Sequence, residues 1–135
     1  MQISDLNEVH LNKAYELWLK SGWNESYQIN KKEFIQSWEN AYIKKGIIRQ
    51  DQVIAIGRAN SDGVLYSMIH DIVVDPLYRN QGLGQAMVLQ LVDELKSKNI
   101  RCIQLMAAKK QVGFYQSLGF EPRPEDAPGM QWRGI

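Results

Sequence analysis

The sequence predicts one α/β domain: a mixed, mostly antiparallel sheet flanked by helices, in the order α-α-β-β-β-α-β-α-β. Three observations carry this. Two amphipathic helical patterns open the chain. Three strand patterns follow, separated by turn signals. A strand then passes through a glycine-bearing turn straight into a third amphipathic helix. The 135 residues fit a single domain, typically ~100–150 residues. No repeat, low-complexity tract or linker-like stretch divides them, so residues 1–135 read as one domain.

The first helix spans about Asn7 to Lys20. Leu11, Ala14, Tyr15 and Trp18 recur at i, i+3, i+4 and i+7, which makes one buried face. Ser21-Gly22 ends it. The second helix spans about Lys31 to Lys45. Asn30 with Glu33 three residues later gives a capping-box start. Phe34, Trp38, Ala41 and Tyr42 form its apolar stripe, and Gly46 stops it.

Ile47–Arg49 and Val53–Ile56 flank Gln50-Asp51-Gln52 and read as a hairpin. Ser61-Asp62-Gly63 is a second turn. A long strand pattern runs from Val64 to Val74 and ends at Asp75-Pro76. The third helix, about Gly84 to Lys98, buries Val88, Leu91, Val92 and Leu95. Ile100–Leu105 is a further strand and Lys110–Leu118 a short helix closed by Gly119. After the Pro-rich loop Glu121–Gly129, Met130-Gln131-Trp132 reads as a last edge strand.

Composition excludes several classes. Sixteen Lys+Arg against fifteen Asp+Glu leave a net charge of +1, unlike the basic excess of a dedicated nucleic-acid binder. The longest apolar runs, such as Val53–Ile56, are far too short to cross a membrane. The N-terminus lacks a signal peptide's basic start and apolar run. Cys102 is the only cysteine, so no intrachain disulfide forms, which fits a cytoplasmic location. One Cys and two His give no basis for a metal site.

The chemistry concentrates in the segment from Asp71 to Ala86. A strand enters a turn bearing Gly82 and Gly84, and the turn opens a helix. The first N–H groups of a helix have no intrahelical partner, and the helix dipole adds positive charge there. Such a turn binds anions, phosphate above all. Glycine lets the backbone approach the ligand closely. The loop lacks the Gly-Lys-Ser/Thr ending of a P-loop. Met87 stands where a dinucleotide fingerprint needs its third glycine.

The string Val74-Asp-Pro-Leu-Tyr-Arg-Asn-Gln-Gly-Leu-Gly84 closely resembles the acyl-CoA signature of GNAT-superfamily N-acetyltransferases. Phe114-Tyr-Gln-Ser-Leu-Gly-Phe120 is similar to a second segment of that family. Both stand in the expected order, and the resemblance extends over nearly the whole chain from Asn7. It implies a GNAT-like fold and acetyl-CoA as cosubstrate. It implies that the backbone of Arg79, Asn80, Gln81, Gly82, Leu83 and Gly84, with Gln85, holds the CoA pyrophosphate. Ile72, Val73 and Val74 would pair with the pantetheine arm as an added strand would. Phe114 would line the CoA channel, and Tyr115 would protonate the leaving thiolate. One position departs: Ala108 stands where many members carry Asn. Lys109 and Lys110 after it are candidates for the CoA 3′-phosphate.

An amine of pKa ~10.4 is mostly protonated at pH 7, so the acceptor must lose a proton before it attacks the thioester. His70 and Asp71 are the candidate bases on the long strand, working directly or through water. Neighbours on a strand face opposite sides, so at most one of the two should face the acceptor. The resemblance also implies a bulge in this strand, which would upset that parity. Trp23 and Tyr27 fall outside the helical stripes and are candidates to line an acceptor site. Strand N–H groups around Ile72–Val73 could stabilise the oxyanion. The expected function is transfer of acetyl from acetyl-CoA to a small primary amine in a ternary complex. A non-catalytic acyl-CoA-binding module and a protein or peptide acetyltransferase are the alternatives. A homodimer is expected by resemblance only.

Overall fold

A computed structural model describes residues 2–134. In chain order its elements are β1 (Ile3–Asp5), α1 (Glu8–Leu19), α2 (Asn24–Tyr27), α3 (Lys31–Glu39), β2 (Ile43–Arg49), β3 (Gln52–Ser61), β4 (Tyr66–Val74), α4 (Leu83–Ser97), β5 (Cys102–Leu105) and α5 (Val112–Ser117). The strands form one sheet in the order β1-β2-β3-β4-β5. Pairing is antiparallel from β1 to β4, and β5 lies parallel to β4. This is the mixed, mostly antiparallel sheet expected, with helices on both faces.

Caps set the helix starts. Asn7 and Asn30 each accept a hydrogen bond from the N–H three residues on, and the His10 and Glu33 side chains reciprocate. The expected helix from Lys31 to Lys45 stops at Glu39. Ala41-Tyr42-Ile43 suits either period over so short a run, and sheet pairing decides. Tyr42 N–H donates to Ala59 O, and Ile43 pairs with Ala59. Lys45, in the strand, is buried, with Nζ 2.7 Å from Asp5 and 2.6 Å from Glu94. This ties β1, β2 and α4 together.

Two short elements escape periodicity: β1 has three residues and α2 one turn with no buried side chain. The expected edge strand Met130–Trp132 does not form. Its large side chains are exposed, and Pro122, Pro124 and Pro128 before it offer no N–H to a ladder.

Two apolar clusters sandwich the sheet. Ile69, Met87, Leu91 and Leu95 belong to the one beneath α4. Leu11, Trp18, Phe34, Trp38 and Val73 belong to the one beneath α1 and α3.

The irregularity that matters lies in β4. Ile56 pairs with Val73, and Arg58 pairs with His70. Gly57 alone therefore opposes both Asp71 and Ile72, a β-bulge with its extra residue on β4. Asp71 takes a left-handed conformation, φ 57. Beyond the bulge the alternation is inverted. Val73 joins the α1–α3 cluster, while Ile72 and Val74 pack against the α4 cluster.

Candidate active site

The turn from β4 to α4 is built from both ends. Asp75 N–H donates to Ile54 O at 2.8 Å and holds the strand end in the sheet. Its carboxylate accepts from Leu77 N–H at 3.0 Å and caps a 3₁₀ turn over Pro76–Tyr78. The other carboxylate oxygen meets Lys20 Nζ at 3.1 Å, at the end of α1. These contacts hold the Asp75 carboxyl below the usual carboxylate range, the Leu77 N–H contributing most.

Asn80 (φ 64) and Gly82 (φ 77) then swing the chain into α4. Gly82 O accepts from Ala86 N–H, but glycine brings no capping side chain. The N–H groups of Leu83, Gly84 and Gln85 therefore have no acceptor among the described residues. Nothing lies within 4 Å of where a Cβ on Gly82 would stand. Arg79, Asn80, Gln81 and Gln85 are exposed around it, whereas the Leu83 side chain is buried in the core.

This turn meets a gap in the sheet. β5 pairs only with Tyr66–Ile69. From His70 to Val74, β4 runs on with its β5-side edge unpaired. Asp75 and Val73 point their backbone groups at β3, so by alternation those of Ile72 and Val74 face the gap. Phe114 of α5 closes the corner. A Cβ on Gly84 would stand 3.8 Å from both Phe114 Cζ and Val74 Cγ2. The expected CoA residues on β4, the turn and α5 thus come together, while the Val73 side chain belongs to the core.

His70 is half-buried and lies opposite Arg58 on the α1–α3 face. Burial pushes its imidazole below the ordinary 6.5; the Asp71 charge opposes this and Arg58 adds to it. The bulge turns Asp71 to the same face, so simple alternation does not separate the two. Both Asp71 oxygens are engaged. Oδ2 accepts from Arg58 Nε at 2.8 Å, and Oδ1 from Trp18 Nε1 at 3.1 Å.

Tyr115 is half-buried on α5, packed edge-on between Phe114 and Phe120 with ring centroids 5.0 and 6.0 Å away. Burial pushes its hydroxyl above 10.0, which keeps it protonated. It lines a cavity of about 690 Å³ with Met68, Cys102, Leu105, Phe120 and Met130. Trp23, just before α2, and Tyr27, at its end, are exposed and do not line this cavity. Lys109 and Lys110 are exposed ahead of α5. Among the described residues no group of three His, Cys, Asp or Glu side chains could hold a metal. Nor is any helix long and apolar enough to cross a membrane.

Three contributors were missed: Arg58, the indole N–H of Trp18, and Lys20. Arg58 had a signal, a charge inside the otherwise apolar run Val53–Ala59. The other two depend on contacts between distant elements.

Residues 7–120 match the Acetyltransferase (GNAT) family, and the chain belongs to it. It is 26% identical to a GNAT-family acetyltransferase structure from Streptococcus pneumoniae, with a TM-score of 0.82, covering 98% of this chain and 97% of that one. An acetyltransferase structure from Clostridium acetobutylicum with acetyl-CoA shares the fold at 18% identity, with a TM-score of 0.76 and coverage of 98% and 95%. Among curated relatives, GCN5-related N-acetyltransferase 2, chloroplastic, of Arabidopsis thaliana is 44% identical over 62% of this chain and 33% of its own length. Histone acetyltransferase TAP1 of Glycine max is 42% identical over 62% and 36%. Serotonin N-acetyltransferase 2, chloroplastic, of Oryza sativa is 40% identical over 57% and 38%. The aligned part thus spans about a third of each relative's length. The expected cytoplasmic location is overturned, because relatives from two plants are chloroplastic proteins. A lone cysteine does not distinguish one reducing compartment from another.

Proposed function

We propose that this chain is an acetyl-CoA-dependent N-acetyltransferase that modifies a small amine with an apolar or aromatic body. One observation carries the cosubstrate: the unpartnered N–H groups of Leu83, Gly84 and Gln85 adjoin the unpaired edge of β4. The N–H groups and the α4 dipole suit a pyrophosphate. The backbone of Ile72 and Val74 suits the amides of a pantetheine arm, added as a strand. When bound, acetyl-CoA supplies the acetyl group as an activated thioester.

The chain's own groups then handle protons. His70, held neutral by burial, takes a proton from the ammonium of the acceptor, directly or through water. Tyr115, kept protonated, gives its hydroxyl proton to the thiolate. Asp71 is not assigned the base role, because both its oxygens already accept hydrogen bonds. The cavity beside Tyr115 is lined by Met68, Leu105 and Phe120 and also by Arg101, Glu121 and Arg123; its apolar walls support an apolar acceptor body, with His70 on β4 outside the lining. The rice relative's name supports the same class. The soybean relative's name favours a second reading, acetylation of a protein lysine.

Thiol release should be followed with acetyl-CoA and three acceptor sets: phenylalkyl and indolylalkyl amines, aliphatic polyamines, and lysine peptides. The proposal expects the aromatic amines to give the highest kcat/KM. Preference for peptides would establish the second reading. No turnover with any set, alongside tight acetyl-CoA binding, would mark a non-catalytic binding module.

A further inference from the structure

Arg58 and Asp71 take no part in the proton transfers above, yet they form an enclosed polar cluster beside His70. Each side chain is 15% exposed. Arg58 Nε donates to Asp71 Oδ2 at 2.8 Å, and its Nη1 to the Ser37 carbonyl at 2.8 Å. The guanidinium stands over the Trp38 ring, 5.3 Å from its centroid. Trp18 Nε1 takes the second carboxylate oxygen at 3.1 Å. α1 and β3 therefore grip one residue of the β4 bulge directly, and α3 holds it through Arg58. That residue holds φ 57, in the left-handed region that Asp tolerates better than most side chains.

We infer that Arg58 and Asp71 are a positioning pair: by clamping the bulge between α1, α3 and β3 they aim His70 at the acceptor. The inference rests on the reading of His70 as the base. Without the clamp nothing fixes the extra residue at Asp71, and a shift of the bulge by one position along β4 would turn one of the two residues to the other face. The pair also balances charge around the imidazole. Asp71, from its own strand, favours the protonated ring; Arg58, from β3, disfavours it. Among the described residues these are the charged groups acting on His70. Removing either should leave the other unopposed, so the two removals move the imidazole in opposite directions.

The test uses the full chain and two readouts. The His70 imidazole is titrated by NMR in the wild type and in each variant. The kcat and the acetyl-CoA KM are measured across pH. Arg58→Met should raise the His70 midpoint and Asp71→Asn should lower it. Both should lower kcat by ~10–10²-fold, the scale of a misaimed catalytic group, with little change in acetyl-CoA KM. Arg58→Lys should recover part of the rate. If Arg58→Met fails to fold, Trp18→Phe keeps an aromatic ring and removes one hydrogen bond; it should still lower kcat. Wild-type kcat in these variants, with His70→Ala inactive, would overturn the positioning role alone. Wild-type kcat in His70→Ala would remove the base reading, and this inference with it. Loss of rate without opposite shifts in the His70 midpoint would mean a purely structural ion pair and would also overturn the inference.

Discussion

A Cβ placed on Gly57 would stand 2.8 Å from Cδ1 of Ile72, the second residue of the β4 bulge. It would also stand 2.7 Å from Met87 Cγ and 3.2 Å from Leu91 Cδ1 of α4. One glycine thus lets α4 close over the bulge, and α4 carries at its start the turn proposed to bind phosphate. Gly57→Ala should destabilise the fold by ~1–3 kcal/mol, the usual cost of overpacking a core. Denaturant unfolding checks this. A lower midpoint with an unchanged slope is expected.

Gly82 and Gly84 separate backbone strain from ligand approach. Gly82→Ala meets no clash but must hold φ 77, at ~1–2 kcal/mol. Gly84 lies inside α4 without positive φ, and a Cβ there makes only ordinary contacts at 3.8 Å. Gly84→Ala should leave stability unchanged or slightly raised. In wild type, acetyl-CoA at 100 times its Kd should add ~2.7 kcal/mol and raise Tm by roughly 3–8 °C. NAD and ATP should not match it. Both variants should lose much of the acetyl-CoA shift. A full shift in Gly84→Ala would mean that the backbone does not approach the ligand there.

The pH profile follows from the two half-buried groups. His70 titrates below 6.5 in the folded chain, so kcat/KM should fall only on the acid side of 6.5. Tyr115 titrates above 10.0, so the alkaline limb should lie beyond that value. The plateau between them should be broad. Stability carries the same sign. Between the folded and unfolded imidazole values the unfolded chain binds more protons, so stability rises with pH through that window and levels off above it. His70→Ala should abolish the acid limb of the rate profile.

Asp75 ties the turn to both β3 and α1. Its carboxyl is depressed below 3.8, so its contribution is complete above that pH and is lost as pH falls through the folded value. Asp75→Ala removes the cap on Leu77 N–H and the partner of Lys20. A loss of ~1 kcal/mol is expected from the cap, with weaker acetyl-CoA binding. Acid unfolding should begin at higher pH in the variant. Asp75→Asn, which retains an acceptor for Leu77, should recover part of the stability but not the ion pair.

What could be read directly from residue order was local. The stripes of α1 and α4 follow the helical period, and Asn30 with Glu33 marks the start of α3. The turn glycines and Phe114-Tyr115 pointed to the residues proposed to hold the cosubstrate. The acceptor side was less legible because long-range pairing controls it. Whether Ile43 is helix or strand is decided by Ala59. Whether His70 and Asp71 share a face is decided by a bulge opposite Gly57. The engagement of Asp71 depends on Arg58 and Trp18, thirteen and fifty-three residues away. Trp23 and Tyr27 lie outside the apolar stripes, as their spacing predicts, and are not among the residues that line the cavity at Tyr115.

The most direct measurement is kcat for Tyr115→Phe on the best aromatic amine, together with its Kd for acetyl-CoA. The substitution keeps the ring between Phe114 and Phe120 and deletes only the hydroxyl. The account predicts a fall in kcat of ~10²–10⁴-fold, the contribution of a general acid, with unchanged acetyl-CoA affinity. Wild-type kcat in this variant would contradict it and return Tyr115 to a packing role.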